Sequence, residues 1–202
     1  MLGAITSGGI IMLPIILCGV IATFIIIERC YYFYVTKKRD LKLMYDLNSC
    51  MDSKDYYQAI EICEKSQTPT AIAAKKAIEC RNWDERDLKD AVEAEMSAVV
   101  PRFEHLLTPL GTISNIATLL GLLGTVTGNI KAFNVLGSGT AGDPAALAGA
   151  IAEALVTTVA GLVVSIPSLI FYNYFASRVN RRISEMEGNI TNLVIRLLGR
   201  NR

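Results

Sequence analysis

A single carboxylate, Glu153, stands inside a run that is otherwise apolar and small, from about residue 146 to 176. An ionisable group at membrane depth is costly to keep and marks a functional site by default. Gly149, Glu153 and Thr157 follow one another at i, i+4 and i+8, so they share a helix face. Ala150, Ala154, Thr158, Gly161 and Ser165 form an adjoining small and hydroxyl face. In the preceding apolar run, Gly121, Gly124, Thr125 and Gly128 fall at i, i+3, i+4 and i+7. Small residues let membrane helices approach closely, so Gly121, Gly124, Gly128 and Gly161 read as a packing seam. Thr125 and Thr158 differ from the glycines, because a hydroxyl can bond across an interface or line a polar path. Thr157 belongs to a face that points elsewhere.

The two runs form a hairpin, which places Thr125 and Thr158 at similar depths. Glu153 lies one to two turns further towards the loop. One carboxylate with a few hydroxyls is not a complete proton relay. The second carboxylate that such a relay needs is missing from this chain, which points to a partner subunit or a self-associated pore. Glu153 itself reads either as a carrier or as a contact between adjacent subunits with a gating role.

The elements that must position these residues are helical. The chain has 202 residues, is 51% hydrophobic and carries a formal net charge of +1. That composition fits membrane spans joined to a polar part. A span needs roughly 20 apolar residues. Three segments meet this length, at about 9–35, 106–133 and 146–176, with a turn at 134–145. Tyr31, Tyr32 and Tyr34 make an interfacial aromatic belt ahead of Lys37, Lys38 and Arg39. Glu28 and Arg29 fall at the same boundary, suited to an ion pair or to snorkelling.

Between Thr36 and His105 there are 12 basic residues, from Arg178 onward there are 6, and the 134–147 turn has none. The positive-inside rule then puts the N-terminus and the turn outside and the C-terminus in the cytosol.

The region at about 36–105 has helical periodicity, as in Leu41, Met44, Leu47 and Met51. Thr68-Pro69 reads as a cap with proline in the first turn, starting a helix near Thr70–Arg81. A further helix starts with Asn82 or Asp84 as its cap and runs on past Pro101 and Pro109 towards the membrane. Residues 177–202 form a last amphipathic helix through Ile183, Met186, Ile190, Leu193, Val194 and Leu197. The expected fold is therefore an all-α membrane protein, with three transmembrane helices extended by cytoplasmic helices.

The 36–105 region mixes 12 basic with 14 acidic residues, which describes a solvated surface and no nucleic-acid patch. Five cysteines without a CxxC pair read as reduced thiols. There is one histidine, His105, and no spacing of nucleophile and base, of metal ligands or of a phosphate-binding glycine loop, so neither enzyme nor cofactor is expected. His105 is placed where a soluble helix meets the membrane surface. A passive membrane scaffold is the alternative from another class, but it gives Glu153, Thr125 and Thr158 nothing to do.

GLLGTVTG (Gly121 to Gly128) followed by AIAEALVTTVAGLVVSIP (Ala150 to Pro167) resembles the MotA/TolQ/ExbB proton-channel family, and most of all its short, three-span ExbB form. The resemblance covers nearly the whole chain, including Glu28-Arg29 and the TPTA break. It implies a homopentameric helical ring in a bacterial inner membrane, in contact with lipids and enclosing the single membrane helices of a pair of ExbD-like subunits. The ExbD-like helix would bring the missing aspartate. Thr125 and Thr158 match the pore-lining hydroxyls, and Glu153 matches the family's third-span glutamate. The force generated would pass to a TonB-like protein; the alternative within the family is a TolQ-like role in envelope integrity. Thr118 stands where the family commonly has proline, and Thr127 and Asn129 add polarity that leaves sodium open beside the proton.

Overall fold

The computed structural model of the chain describes residues 9–137 and 144–199, and every element among them is a helix. In chain order these are α1 (Met12–Ser53), α2 (Tyr56–Ser66), α3 (Pro69–Glu79), α4 (Glu85–Glu104), α5 (Leu107–Gly137) and α6 (Pro144–Leu197). Among the described residues three stretches are long and apolar enough to cross a membrane: α1, the α4–α5 pair, and α6. The chain divides into two compact units.

The first unit takes the chain up to Glu28 together with Leu106–Tyr174, so it holds the start of α1, all of α5 and most of α6. Many of its large apolar side chains point outward: Leu13, Phe24, Phe133, Val163 and Ile170 are each more than 60% exposed. In water such a surface would be an aggregation hazard, whereas in hydrocarbon it is the expected boundary. Where α5 faces α6 the buried residues include Ala117, Gly121, Gly124, Ser114, Ala154, Thr157 and Ser165, all of them small, while Ile15, Ile25, Leu107 and Leu110 are large side chains buried in the same unit. Tyr172 packs over Gly111, where an added Cβ would stand 3.0 Å from its ring.

The second unit, Arg29–His105 with Phe175–Arg202, is a helical bundle with its own core. Lys54 takes a left-handed turn (φ 58°) after α1, and the Asp55 carboxylate then caps α2 by accepting from the Gln58 amide at 3.0 Å. Gln67 (φ 52°) closes α2. Thr68 caps α3 by accepting from the Ala71 amide at 3.2 Å, and Pro69 occupies the first turn, where its missing N–H costs nothing. Ala71, Ala73, Ala74 and Ala77 of α3 are fully buried, and α3 packs against both α2 and α4. Phe33 stacks on Phe175 at 5.8 Å between ring centroids.

Several boundaries differ from the sequence expectation. The segments at 9–35 and 36–53 are one helix, and so are those at 146–176 and 177–197. The turn expected at 134–145 is shorter, since α5 continues to Gly137 and α6 begins at Pro144; residues 138–143 lie outside the described ones.

The helix expected to pass both Pro101 and Pro109 passes only the first. It ends at Glu104, and Leu106 adopts φ 64° before α5 begins. Pro109 has no N–H for the His105 carbonyl, so a continuous ladder fails at that point, and the proline falls instead in the first turn of α5.

In α1 the buried line is Thr36, Asp40, Leu43, Leu47 and Cys50, while Leu41 is exposed. Two of its members are polar, so counting apolar residues alone shifts the stripe. Arg29 does not snorkel. It is buried, donating to the Phe103 carbonyl (3.4 Å) and to His105 Nδ1 (2.9 Å), with Tyr32 beneath it at 5.0 Å.

Candidate functional site

The α5–α6 hairpin is closed by contacts that only small residues permit. A Cβ added to Gly161 would stand 2.9 Å from Gly121 Cα, and one added to Gly121 would stand 3.3 Å from Thr158 Cα. At Gly124 it would fall 2.6 Å from Thr157 Cβ, and at Gly128 it would fall 3.1 Å from the Ala150 carbonyl. Real Cβ atoms do not approach a neighbour as closely as 2.6 Å without a shift. The glycine face of α5 therefore meets α6 of the same chain, backbone against backbone.

The hydroxyls divide into three groups. Thr158 Oγ1 donates across the seam to the Gly121 carbonyl at 2.8 Å, with a longer contact to the Ala154 carbonyl at 3.3 Å. Thr125 is half-buried and donates to the Leu122 carbonyl of its own helix at 2.6 Å. Thr157 is buried against Gly124 and donates to the Glu153 carbonyl at 2.8 Å. Thr125 lies twelve residues before the end of α5 and Thr158 fourteen residues after the start of α6. At about 1.5 Å per residue these depths agree within a turn. Once each proton is given to a carbonyl, each threonine oxygen still has lone pairs for a polar visitor.

A second hydroxyl cluster had not been assembled from the sequence. Ser114 Oγ donates to the Ser165 carbonyl at 3.2 Å, and Thr118 Oγ1 donates to Ser165 Oγ at 2.6 Å. Thr118 thus ties α5 to α6. Its signal was visible: it is polar, one turn after Ser114, at the position where proline was expected.

Glu153 is not solitary. Lys131 Nζ lies 2.6 Å from its Oε1, and the glutamate side chain is 27% exposed. Among the described residues no group of three or more His, Cys, Asp or Glu could hold a metal ion.

The second unit has buried titratable groups of its own. Burial pushes the Asp40 carboxyl above the usual carboxylate range, partly opposed by Thr68, Arg182 and Thr70. Arg182 Nη1 lies 4.0 Å from Asp40 and 3.2 Å from Glu185. Burial also raises the Cys50 thiol and pushes Cys63 up to about 12, which makes both poor nucleophiles.

The fold and the hairpin define a membrane protein of three long helices, whose second and third spans are locked by a glycine and hydroxyl seam. The family model for the MotA/TolQ/ExbB proton channel family matches residues 65–188, which hold that seam. The chain belongs to this family. It is 32% identical to the biopolymer transport protein ExbB-like 3 of Synechocystis sp., over 91% of this chain and 90% of that protein. It is 26% identical to the biopolymer transport protein ExbB of Neisseria meningitidis, over 91% and 88%. It is also 33% identical to the Tol-Pal system protein TolQ of Haemophilus influenzae, over 45% of this chain and 40% of that one.

Proposed function

We propose that the chain is the stator and channel subunit of an inner-membrane motor driven by the proton gradient. Five copies form a ring, and their α5 and α6 helices surround the membrane helices of an ExbD-like pair. The N-terminus is periplasmic and the C-terminus cytoplasmic. Thr125 and Thr158 lie on the ion path at the level of the partner's carboxylate, which supplies the proton-binding group that this chain lacks. The work is passed to a TonB-like protein and used for outer-membrane transport. Gly121, Gly124, Gly128 and Gly161 set the wall of the path by fixing the spacing of α5 and α6. Glu153 gates or makes a subunit contact, and it does not carry the proton.

The observation that carries this reading is the matched depth of Thr125 and Thr158 on a glycine-locked hairpin, within the region matched by the family model. A TolQ-like role in envelope integrity is the second reading, and the partial TolQ similarity favours it over less than half of the chain. The ExbB relatives span nearly all of it, which supports the first reading.

The test is proton flux into vesicles that hold the chain together with its single-span partner, followed with a pH-sensitive dye. Changing both Thr125 and Thr158 to Val keeps the shape and removes the hydroxyls. Flux is expected to fall at least tenfold while the oligomer, weighed by native mass spectrometry, stays intact. Unchanged flux in the double variant rejects these residues as the path.

A further inference from the structure

Glu153 is held from two sides within the first unit. Lys131 of α5 clamps its carboxylate at 2.6 Å. The other side is Gly9, at the turn that starts α1, where the Met12 amide donates to the Gly9 carbonyl at 3.2 Å. Gly9 has φ +63°, and a Cβ placed there would stand 3.2 Å from Glu153 Cδ and closer still to Oε1. Only glycine leaves room for the carboxylate in this place. Lys131 is six residues before the end of α5 and Glu153 nine residues after the start of α6. The offset of three residues is about 4.5 Å along the axis, which the long lysine side chain spans. The start of α1, α5 and α6 thus converge on one charged group.

We propose that Lys131 and Gly9 are positioning residues that latch Glu153 closed at the loop end of the hairpin. The inference rests on the channel reading above and assigns two residues that neither motif contains. While the latch is shut, the carboxylate is neutralised and fixed, so it offers no free acceptor to a proton moving along the hairpin. Removing the ammonium leaves the carboxylate without its fixed counter-charge and free as an acceptor on the hairpin. A methyl at Gly9 displaces the same carboxylate by contact, since the group it meets is the far end of a flexible side chain.

The test uses the full chain with its partner in vesicles, reading proton flux under a fixed pH gradient with no work being done. Lys131→Met is expected to raise the idle flux at least threefold, and Gly9→Ala to raise it by a smaller factor. Lys131→Arg should stay within a factor of two of the parent, because it restores the cation. Adding Glu153→Gln to Lys131→Met should abolish the extra flux. A merely structural role would leave that leak in place, because loosened packing leaks with or without a titrating carboxylate. If Lys131→Met and Gly9→Ala idle like the parent, or if the leak persists with Glu153→Gln, the latch is wrong and the channel reading stands. If the parent complex conducts no protons at all, the channel reading fails. The positioning of Glu153 by Lys131 is then judged by a double-mutant cycle in thermal unfolding, where absence of coupling overturns it and coupling upholds that contact.

Discussion

Thr158 Oγ1 lies 2.8 Å from the carbonyl oxygen of Gly121, so the third-span hydroxyl is bonded to the backbone of the second span and not to a side chain. Close helix approach makes this bond possible, because the residue opposite has no side chain to interpose. Packing and polarity are therefore coupled in the hairpin, and substitutions that alter one should disturb the other.

Gly124→Leu should damage the hairpin much more than Leu122→Phe. A Cβ at Gly124 would stand 2.6 Å from Thr157 Cβ, whereas Leu122 is 58% exposed. Overpacking of this kind costs roughly 1–3 kcal/mol or more. The expected result is loss of the intact oligomer in native mass spectrometry for Gly124→Leu and its retention for Leu122→Phe. Retention of the parent's oligomeric mass in the first variant contradicts the seam.

Thr158→Val should reduce proton flux more than Thr157→Val, although Thr157 is the more buried of the two. Thr157 spends its proton on the Glu153 carbonyl within its own helix and packs on Gly124. Its valine variant should lower thermal stability by about 1 kcal/mol and leave conduction nearly intact. Equal loss of flux in the two variants would remove the distinction.

Topology is testable by labelling in intact cells with a membrane-impermeant thiol reagent, in a background without cysteines. A cysteine at Ser138, which lies outside the described residues, should react from outside. One at Ser53, at the end of α1, should not. The opposite pattern would invert the proposed orientation.

Asp40 gives a pH prediction. Its folded-state carboxyl is raised by burial, so the fold prefers the protonated form. At a pH below its ordinary value near 3.8, both states are protonated and Asp40 has no effect. As the pH climbs from there through the raised folded value, the ionised form costs stability, and above it the cost is constant. Asp40→Asn keeps a polar partner for Thr68 and Thr70 and removes this cost. Its melting temperature should exceed that of the parent at neutral pH by a few degrees, and the gap should close on acidification. A lower melting temperature at neutral pH would show that the Arg182 contact outweighs the burial.

Much of this was legible in the sequence. The three apolar runs and the Thr68-Pro69 start of α3 follow from hydropathy and cap chemistry. What escaped was polar and non-local. Arg29 and Asp40 are buried beside partners far along the chain, His105 and Arg182, and no local pattern announces such partners. The break at Leu106 requires a left-handed leucine, which no propensity favours.

The Lys131–Glu153 pair was missed for a geometric reason. Hydropathy ended the second span at Phe133, which leaves Lys131 at a rim and free to reach water. The helix runs on to Gly137, and the long Lys131 side chain reaches across to the Glu153 carboxylate at 2.6 Å.

That pair has an electrical consequence. Lys131 is the only Asp, Glu, Lys or Arg of α5, and Glu153 is the only one of α6 before Arg178. A voltage across the membrane acts on each full charge with about 2.3 kcal/mol per 100 mV. Opposite charges 2.6 Å apart feel nearly equal and opposing work, so the joined hairpin is almost blind to the potential. A change of membrane voltage would then move the ion, or a charge on whatever the hairpin surrounds, while the wall stays still.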